Sequence, residues 1–271
     1  MEYFTLTNGC KMPALGLGTW KLNGAECTNT VINAIEMGYT HIDTASAYNN
    51  EADIGVALRE TSLKRTSLFI TTKIWYDRLS RFDVENECGK SLQKLRTDYI
   101  DLLLIHWPNK NISLRDTFQG FVRLFEKKLV RSFGVSNFTI AHINEALKAS
   151  SGIPVCVNQV EFHPFLNQSE LLSYCNSKQI RLTAYAPVAR GSALKNPVLL
   201  QIAGQCGATP VQCCLAWLRQ KGVAAIPKSS SDPHLKENLQ SLNLTLSQEQ
   251  MAQIDALDRG ERLVNPEWAE F

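Results

Sequence analysis

The sequence predicts an α/β fold: a single (β/α)8 barrel, the TIM architecture, behind a short N-terminal β-hairpin. Three observations point there. Short apolar or β-branched runs alternate with stretches of helical period from one end of the chain to the other. There are eight such runs, and the seven intervals between residues 15 and 223 average roughly 30 residues, the size of a strand, a helix and two loops. The total of 271 residues suits eight units closed into one ring.

The elements follow in order. Phe4 to Thr7 and Lys11-Met12 flank Asn8-Gly9, the strongest short-range hairpin signal. The eight strand runs are 14–18, 40–43, 68–73, 100–106, 132–135, 155–160, 181–185 and 223–226. Between them lie apolar stripes at helical spacing. Thr28, Val31, Ile32 and Ile35 form one, closed at Gly38 by a left-handed cap. Val84, Cys88, Ser91, Leu92 and Leu95 form the next, with Asp83 as N-cap. Phe118, Val122, Phe125 and Leu129 make a third. Ile140/Ile143/Leu147, Leu171/Leu172/Cys175, Val211/Cys214/Leu215/Leu218 and Leu235/Leu239/Leu242 complete the set.

Strands alternating with helices imply parallel pairing through right-handed crossovers. An open doubly wound sheet has the same periodicity and stands as the structural alternative. No Pro/Ser-rich linker or charge run marks a boundary, so residues 1–271 read as one domain.

Composition excludes several functional classes. Lys plus Arg is 28 against 26 for Asp plus Glu, a balance that argues against a nucleic-acid partner. The run Cys213 to Leu218 is too short to span a membrane, and Met1 to Phe4 carry no signal-peptide character. An unexported, cytoplasmic protein without a membrane partner is expected. The eight cysteines form no C-x-x-C pair or zinc-finger spacing, so reduced, mostly buried thiols are expected and no metal.

In a barrel of this kind chemistry gathers at the carboxyl ends of the strands. There the second, third and fourth strands end in Asp43, Lys73 and His106, with Tyr48 just beyond Asp43. Taken singly, an Asp there is a helix cap, a Lys is solvated and a His is a satisfied core residue. Three consecutive strands ending so in one ring favour a site. No third Gly follows Gly16-Leu17-Gly18, so the usual dinucleotide fingerprint is missing. Barrels also bind phosphate at the loops after strands 7 and 8. Lys228-Ser229-Ser230-Ser231 before a helix is a suitable anion site, or else a Ser-rich helix cap.

Several motifs resemble the aldo-keto reductase superfamily, in its order and over nearly the whole chain. They are Gly-Leu-Gly-Thr-Trp (16–20), His-Ile-Asp-Thr-Ala (41–45) with Tyr48, Ile-Thr-Thr-Lys (70–73) and Leu-Ile-His-Trp-Pro (104–108). Gly-Val-Ser-Asn-Phe (134–138), Asn-Gln-Val-Glu-Phe-His-Pro (158–164) and Ile-Pro-Lys-Ser (226–229) continue the series. Residues 91–99 and the ending Arg-Leu-Val-Asn-Pro-Glu-Trp (262–268) are similar to the bacterial 2,5-diketo-D-gluconate reductase B group.

The resemblance implies a catalytic tetrad of Asp43, Tyr48, Lys73 and His106. Carbonyl reduction needs a hydride on carbon and a proton on oxygen. Tyr48 would donate the proton, with Lys73 lowering its pKa, Asp43 holding Lys73, and His106 orienting the carbonyl or sharing the proton. The resemblance further implies NADPH as cofactor. Tyr185 would stack on the nicotinamide and Ser136, Asn137 and Gln159 would bind its carboxamide. Gly18 and Thr19 would meet the ribose beside Asp43, Lys228 and Ser229 the 2′-phosphate, and Glu237 and Asn238 the adenine.

Two positions depart from the family pattern. His234 stands where many relatives have an Arg on the adenine and 2′-phosphate, so NADH is expected to compete better than usual. The loop 186–192, with Pro187, would contact the cofactor largely through main chain, and Arg190 could add charge near the pyrophosphate.

Trp20, Trp75 and Trp107 each follow a strand end and are expected to line the substrate pocket, or in part to cap the core. With 11 residues after Gly260 and a short 109–114 loop, an open pocket is expected. The reading is an NADPH-dependent reductase of small aldehydes and ketones, including methylglyoxal and 2,5-diketo-D-gluconate, acting as a monomer. The alternative is a non-catalytic NADP(H)-binding redox sensor or regulatory subunit on the same fold. A metal-dependent barrel hydrolase lacks a ligand set.

Overall fold

The computed structural model describes residues 2–150 and 152–270. The chain opens with β1 (Tyr3–Thr5) and β2 (Lys11–Pro13), an antiparallel pair. Its connection is longer than a two-residue turn. Leu6 N–H donates to the Cys10 carbonyl at 2.8 Å, and Gly9 sits at φ 84° between them. Leu6 and Met12 pack on Phe69, Leu102, Leu104, Cys156 and Val157, plugging the amino end of the barrel.

The parallel strands of the barrel run in chain order: β3 (Leu17–Gly18), β4 (His41–Asp43), β5 (Phe69–Ile74), β6 (Ile100–Ile105), β7 (Val130–Ser136), β8 (Val155–Glu161), β9 (Arg181–Tyr185) and β10 (Ala224–Ala225). The ring closes where Gly16 N–H donates to the Ala225 carbonyl at 2.9 Å and Gly18 N–H to the Pro227 carbonyl at 3.1 Å. Sequential order with a closed seam makes this a barrel and not an open doubly wound sheet. β3 and β10 are shorter than the apolar runs that contain them.

The Gly16-x-Gly18 pair serves this seam. A Cβ on Gly16 would lie 2.6 Å from His41 Nδ1, and one on Gly18 would lie 2.6 Å from the Ile226 carbonyl oxygen. The two glycines let the first strand close on its neighbours.

Helices α1 (Gly24–Met37), α2 (Glu51–Glu60), α3 (Arg81–Leu95), α4 (Leu114–Glu126), α5 (Ile140–Ala149) and α6 (Ser169–Ser177) follow strands β3 to β8. They are followed by α7 (Pro197–Cys206), α8 (Pro210–Gln220), α9 (Asp232–Gln240) and α10 (Gln248–Asp255). Gly38 caps α1 at φ 111°, as its position suggested. The cap of α3 is Ser80, whose side chain accepts from Asp83 N–H, so Asp83 is the residue capped and not the cap. On α4 the buried face is Thr117, Phe118, Phe121 and Leu124, while Phe125 is 47% exposed. The expected Phe118/Val122/Phe125/Leu129 stripe is therefore one position out of phase. No apolar stripe announces α2, because its buried face is Glu51, Ile54, Gly55 and Ala57. Gly55 lets α2 approach α3 so closely that a Cβ would stand 2.1 Å from the Lys94 carbonyl oxygen.

Residues 213 to 218 of α8 are all buried, both cysteines of the doublet included, and the eight cysteines are free thiols. Among the described residues no single helix is long and apolar enough to cross a membrane.

Candidate active site

Asp43 ends β4, Lys73 lies next to the end of β5 and His106 follows β6, so three adjacent strands bring these groups to one rim. Lys73 Nζ lies 2.5 Å from Asp43 Oδ1 and donates to the Thr44 carbonyl at 2.8 Å. Both side chains are fully buried. Burial pushes the Asp43 carboxyl up and the Lys73 ammonium down in pKa, and their mutual attraction opposes both shifts.

Tyr48 is delivered by a short 3-10 turn, Ser46–Tyr48, tied down where Ser46 Oγ donates to the Lys73 carbonyl at 2.9 Å. Lys73 Nζ stands 5.1 Å from the centre of the Tyr48 ring. The phenol is nevertheless not drawn down as expected: burial and then the Asp43 charge raise its pKa well above the ordinary tyrosine range. It keeps its proton at neutral pH. His106 meets the Tyr48 ring edge-on at 5.6 Å and Trp75 at 5.0 Å. Burial, with the Lys73 charge, lowers its pKa well below 6.5, so the imidazole is neutral.

A chain of hydrogen bonds fixes the opposite rim. Tyr185 OH donates to Asn137 Oδ1 at 2.7 Å, and Asn137 Nδ2 donates to the His106 carbonyl at 3.0 Å and to Ser136 Oγ at 3.1 Å. Ser136 Oγ donates to the Gln159 carbonyl at 2.8 Å, and Gln159 Nε2 to Asp43 Oδ2 at 2.7 Å. Asn137 holds its place at φ 63°, a conformation Asn tolerates better than most residues.

These groups face one cavity of about 840 Å³ at the carboxyl ends of the strands. Of the residues singled out from the sequence, Gly18, Thr19, Trp20, Asp43, Tyr48, Trp75, His106 and Trp107 line it, as do Ser136, Asn137, Gln159, Tyr185, Pro187 and Lys228. Lys73 lies buried behind Asp43. Ser229, His234, Glu237 and Asn238 stand outside the lining, toward and along α9. The Ser229 hydroxyl accepts from Ser231 N–H at 3.1 Å, a local turn bond of the helix-cap kind. Asn238 is buried beside the Tyr39 hydroxyl.

The sequence model of the Aldo/keto reductase family matches residues 14–259. The chain is 43% identical to "Glyoxal reductase" of Bacillus subtilis (strain 168) over 95% of its own length and 93% of that protein's. It is 41% identical to "Methylglyoxal reductase DkgB" of Escherichia coli O157:H7, covering 94% of this chain and 97% of that one. A solved aldo-keto reductase (AKR2E5) complexed with NADPH superposes with a TM-score of 0.92 at 33% identity, over 98% of this chain and 90% of that chain.

The chain belongs to the aldo/keto reductase family. Around the mouth of this reductase the charges and rings are divided. The cations Lys21, Arg190 and Lys228 follow β3, β9 and β10, while Trp75 and Trp107 follow β5 and β6. Lys21 Nζ and Arg190 Cζ lie 4.5 and 5.4 Å from the same ring, Trp20. No salt bridge among the described residues involves these three cations, so one arc of the cavity can hold a polyanion and the other an apolar group.

The tail, noted in the sequence only for its resemblance at 262–268, proves to be a wall of the site. Leu263, Val264, Asn265, Pro266 and Trp268 line the cavity, so the pocket is walled rather than open on that side. Trp268 stacks on Tyr76 at 4.6 Å and meets Trp107 edge-on at 5.1 Å. An aromatic near the C-terminus was the one available signal. Its partners lie some 160 to 190 positions earlier, out of reach of any local pattern.

Proposed function

We propose that the protein is an NADPH-dependent reductase of small aldehydes and ketones, with neutral α-dicarbonyls such as methylglyoxal as its preferred class. The observation that carries this is the convergence of Tyr48, Asp43 and His106 on one cavity, with Lys73 buried directly behind Asp43 and Tyr48, in a member of this family. The donor set fits the cofactor: three cations on the β9–β10–β3 arc, in no salt bridge among the described residues, match its phosphates, and Tyr185 with Ser136, Asn137 and Gln159 matches the nicotinamide end.

When bound, NADPH supplies a hydride to the carbonyl carbon. Tyr48 gives its proton to the carbonyl oxygen, which its raised pKa leaves it holding across neutral pH. Lys73 places a positive charge beside the phenolate that results, and Asp43 keeps that charge in place. Neutral His106 orients the carbonyl by a hydrogen bond. Gln159 and Asn137 hold the surrounding strand ends together.

The site suits methylglyoxal better than 2,5-diketo-D-gluconate. Among the described residues, no cation lines the cavity on the arc of Trp75, Trp107 and Trp268, and the cations opposite match the cofactor's phosphates. Residues 1–271 act here as one catalytic unit, working as a monomer in the cytoplasm, where eight free thiols stay reduced. With NADPH, purified protein is expected to oxidise the cofactor on addition of methylglyoxal. NADPH binding without oxidation across a panel of carbonyl compounds would replace this reading with the redox-sensor one.

A further inference from the structure

Glu161 ends β8 and is completely buried, yet no step of the chemistry uses it. Its Oε1 accepts from Leu263 N–H at 2.8 Å and its Oε2 from Val264 N–H at 2.9 Å. His163 Nε2 lies 2.9 Å from Oε1. Burial raises the pKa of this carboxyl, but bonds from His163, Leu263 and Val264 outweigh that and hold it below the ordinary range.

Among the described residues after α10 there is no helix or strand, so the path of this segment depends on bonds to the barrel. The Phe165 carbonyl accepts from Glu261 N–H at 3.0 Å just before the two Glu161 bonds. Beyond them Trp268 stacks on Tyr76, and Glu270 accepts from Lys110 N–H at 3.1 Å. Glu161 is thus the fixing point nearest the stretch that faces substrate. A carboxylate can accept on both oxygens at once. A glutamine has one acceptor and would turn an NH2 toward a backbone N–H.

We propose that Glu161 is a positioning residue: it latches residues 261–270 across the cavity as the substrate-side wall and so sets the affinity for small carbonyl compounds. The substrate half of this proposal rests on the reductase reading; the latch itself does not.

Two measurements on the full chain separate them. In E161Q, hydrogen exchange across residues 261–270 is expected to quicken about tenfold or more, with the barrel strands unchanged. With methylglyoxal and NADPH, KM is expected to rise about tenfold while kcat stays within about twofold, because Tyr48, Lys73 and Asp43 stand on other elements. Trp268→Ala is expected to raise KM similarly, and the double variant to be no worse than the worse single one. Should E161Q fail to fold, Leu263→Pro removes a donor from the tail side and is expected to give the same KM rise. Unchanged exchange at Leu263 and Val264 in E161Q, a fall in kcat at constant KM, or fully additive effects would each overturn the proposal. A wild-type protein that does not turn over methylglyoxal would sink the reductase reading and the substrate half with it, while the exchange result still decides the latch.

Discussion

Gln159 donates to Asp43 across 2.7 Å, joining the ends of β8 and β4 over a separation of 116 residues. Half of an amide proposed above to meet the nicotinamide is therefore part of the protein's own scaffold. The Asp43 carboxylate is held on both oxygens, by Lys73 on one and Gln159 on the other. Gln159→Leu leaves Oδ2 buried without its donor, a loss of about 1–3 kcal/mol in unfolding free energy. Urea unfolding of the variant without cofactor checks this. A midpoint equal to wild type would show that the bond contributes nothing.

The Lys73–Asp43 pair separates stability from catalysis. Removing either partner alone strands a buried charge, so Lys73→Met and Asp43→Asn should each destabilise the fold by about 3–5 kcal/mol. Both together remove the pair, and the double variant should recover most of that stability. It should not recover turnover, because no cation then stands beside Tyr48. Denaturant unfolding and NADPH oxidation measured on the same samples decide it. A double variant with substantial activity would remove Lys73 from the mechanism.

Tyr48→Phe keeps the ring and loses the proton. With His106 neutral and unable to serve as a strong acid, the expected fall in kcat is about 10²–10⁴-fold. NADPH affinity, followed by fluorescence titration, should stay near wild type. Turnover within a few-fold of wild type would move the proton donor elsewhere.

What could be read from sequence, and what could not, follows from where each signal lies. Asp43, Lys73 and His106 were readable because the strands that carry them are apolar and end abruptly in ionisable residues. The barrel was readable because seven intervals repeat. α2 was hidden because its contact with α3 demands Gly55 and its contact with β5 a buried Glu51 bonded to Thr72, neither of which looks like an apolar stripe. On α4, three phenylalanines at 118, 121 and 125 fit helical spacing in two phases, and only the fold shows that Phe121 stacks on Phe133 at 4.7 Å while Phe125 meets the same ring tilted at 6.3 Å and stays half exposed. The tail and Glu161 carry no periodicity at all, and their relation exists only across the folded ring.

Lys228 gives the clearest test of cofactor choice. It is exposed, lines the cavity and forms no salt bridge among the described residues. His234, outside the lining, offers no guanidinium fork beside it. Lys228→Met should weaken NADPH binding about tenfold to a hundredfold, the worth of one charge-assisted bond, and leave NADH nearly unchanged. Equal losses for the two cofactors would place Lys228 on a phosphate they share instead of the 2′-phosphate.

His41 predicts how stability depends on pH. It is buried against Gly16 with Nε2 3.0 Å from Thr71 Oγ1, and burial, then the Lys73 charge, lowers its pKa to about 3. An unfolded chain takes up this proton near pH 6.5, whereas the folded protein refuses it until far lower. The unfolded state therefore binds more protons between those values. Stability is at its full value above about pH 6.5 and falls as pH drops toward 3, by up to about 1.4 kcal/mol per unit from this residue. His106, shifted the same way, adds to the slope. His41→Leu should flatten the plot of unfolding free energy against pH by about that amount between roughly pH 4.5 and 6. Packing lost in the variant lowers the whole curve without changing its slope, so the comparison of slopes isolates the proton. Parallel curves for the two proteins would mean that His41 titrates normally inside the fold.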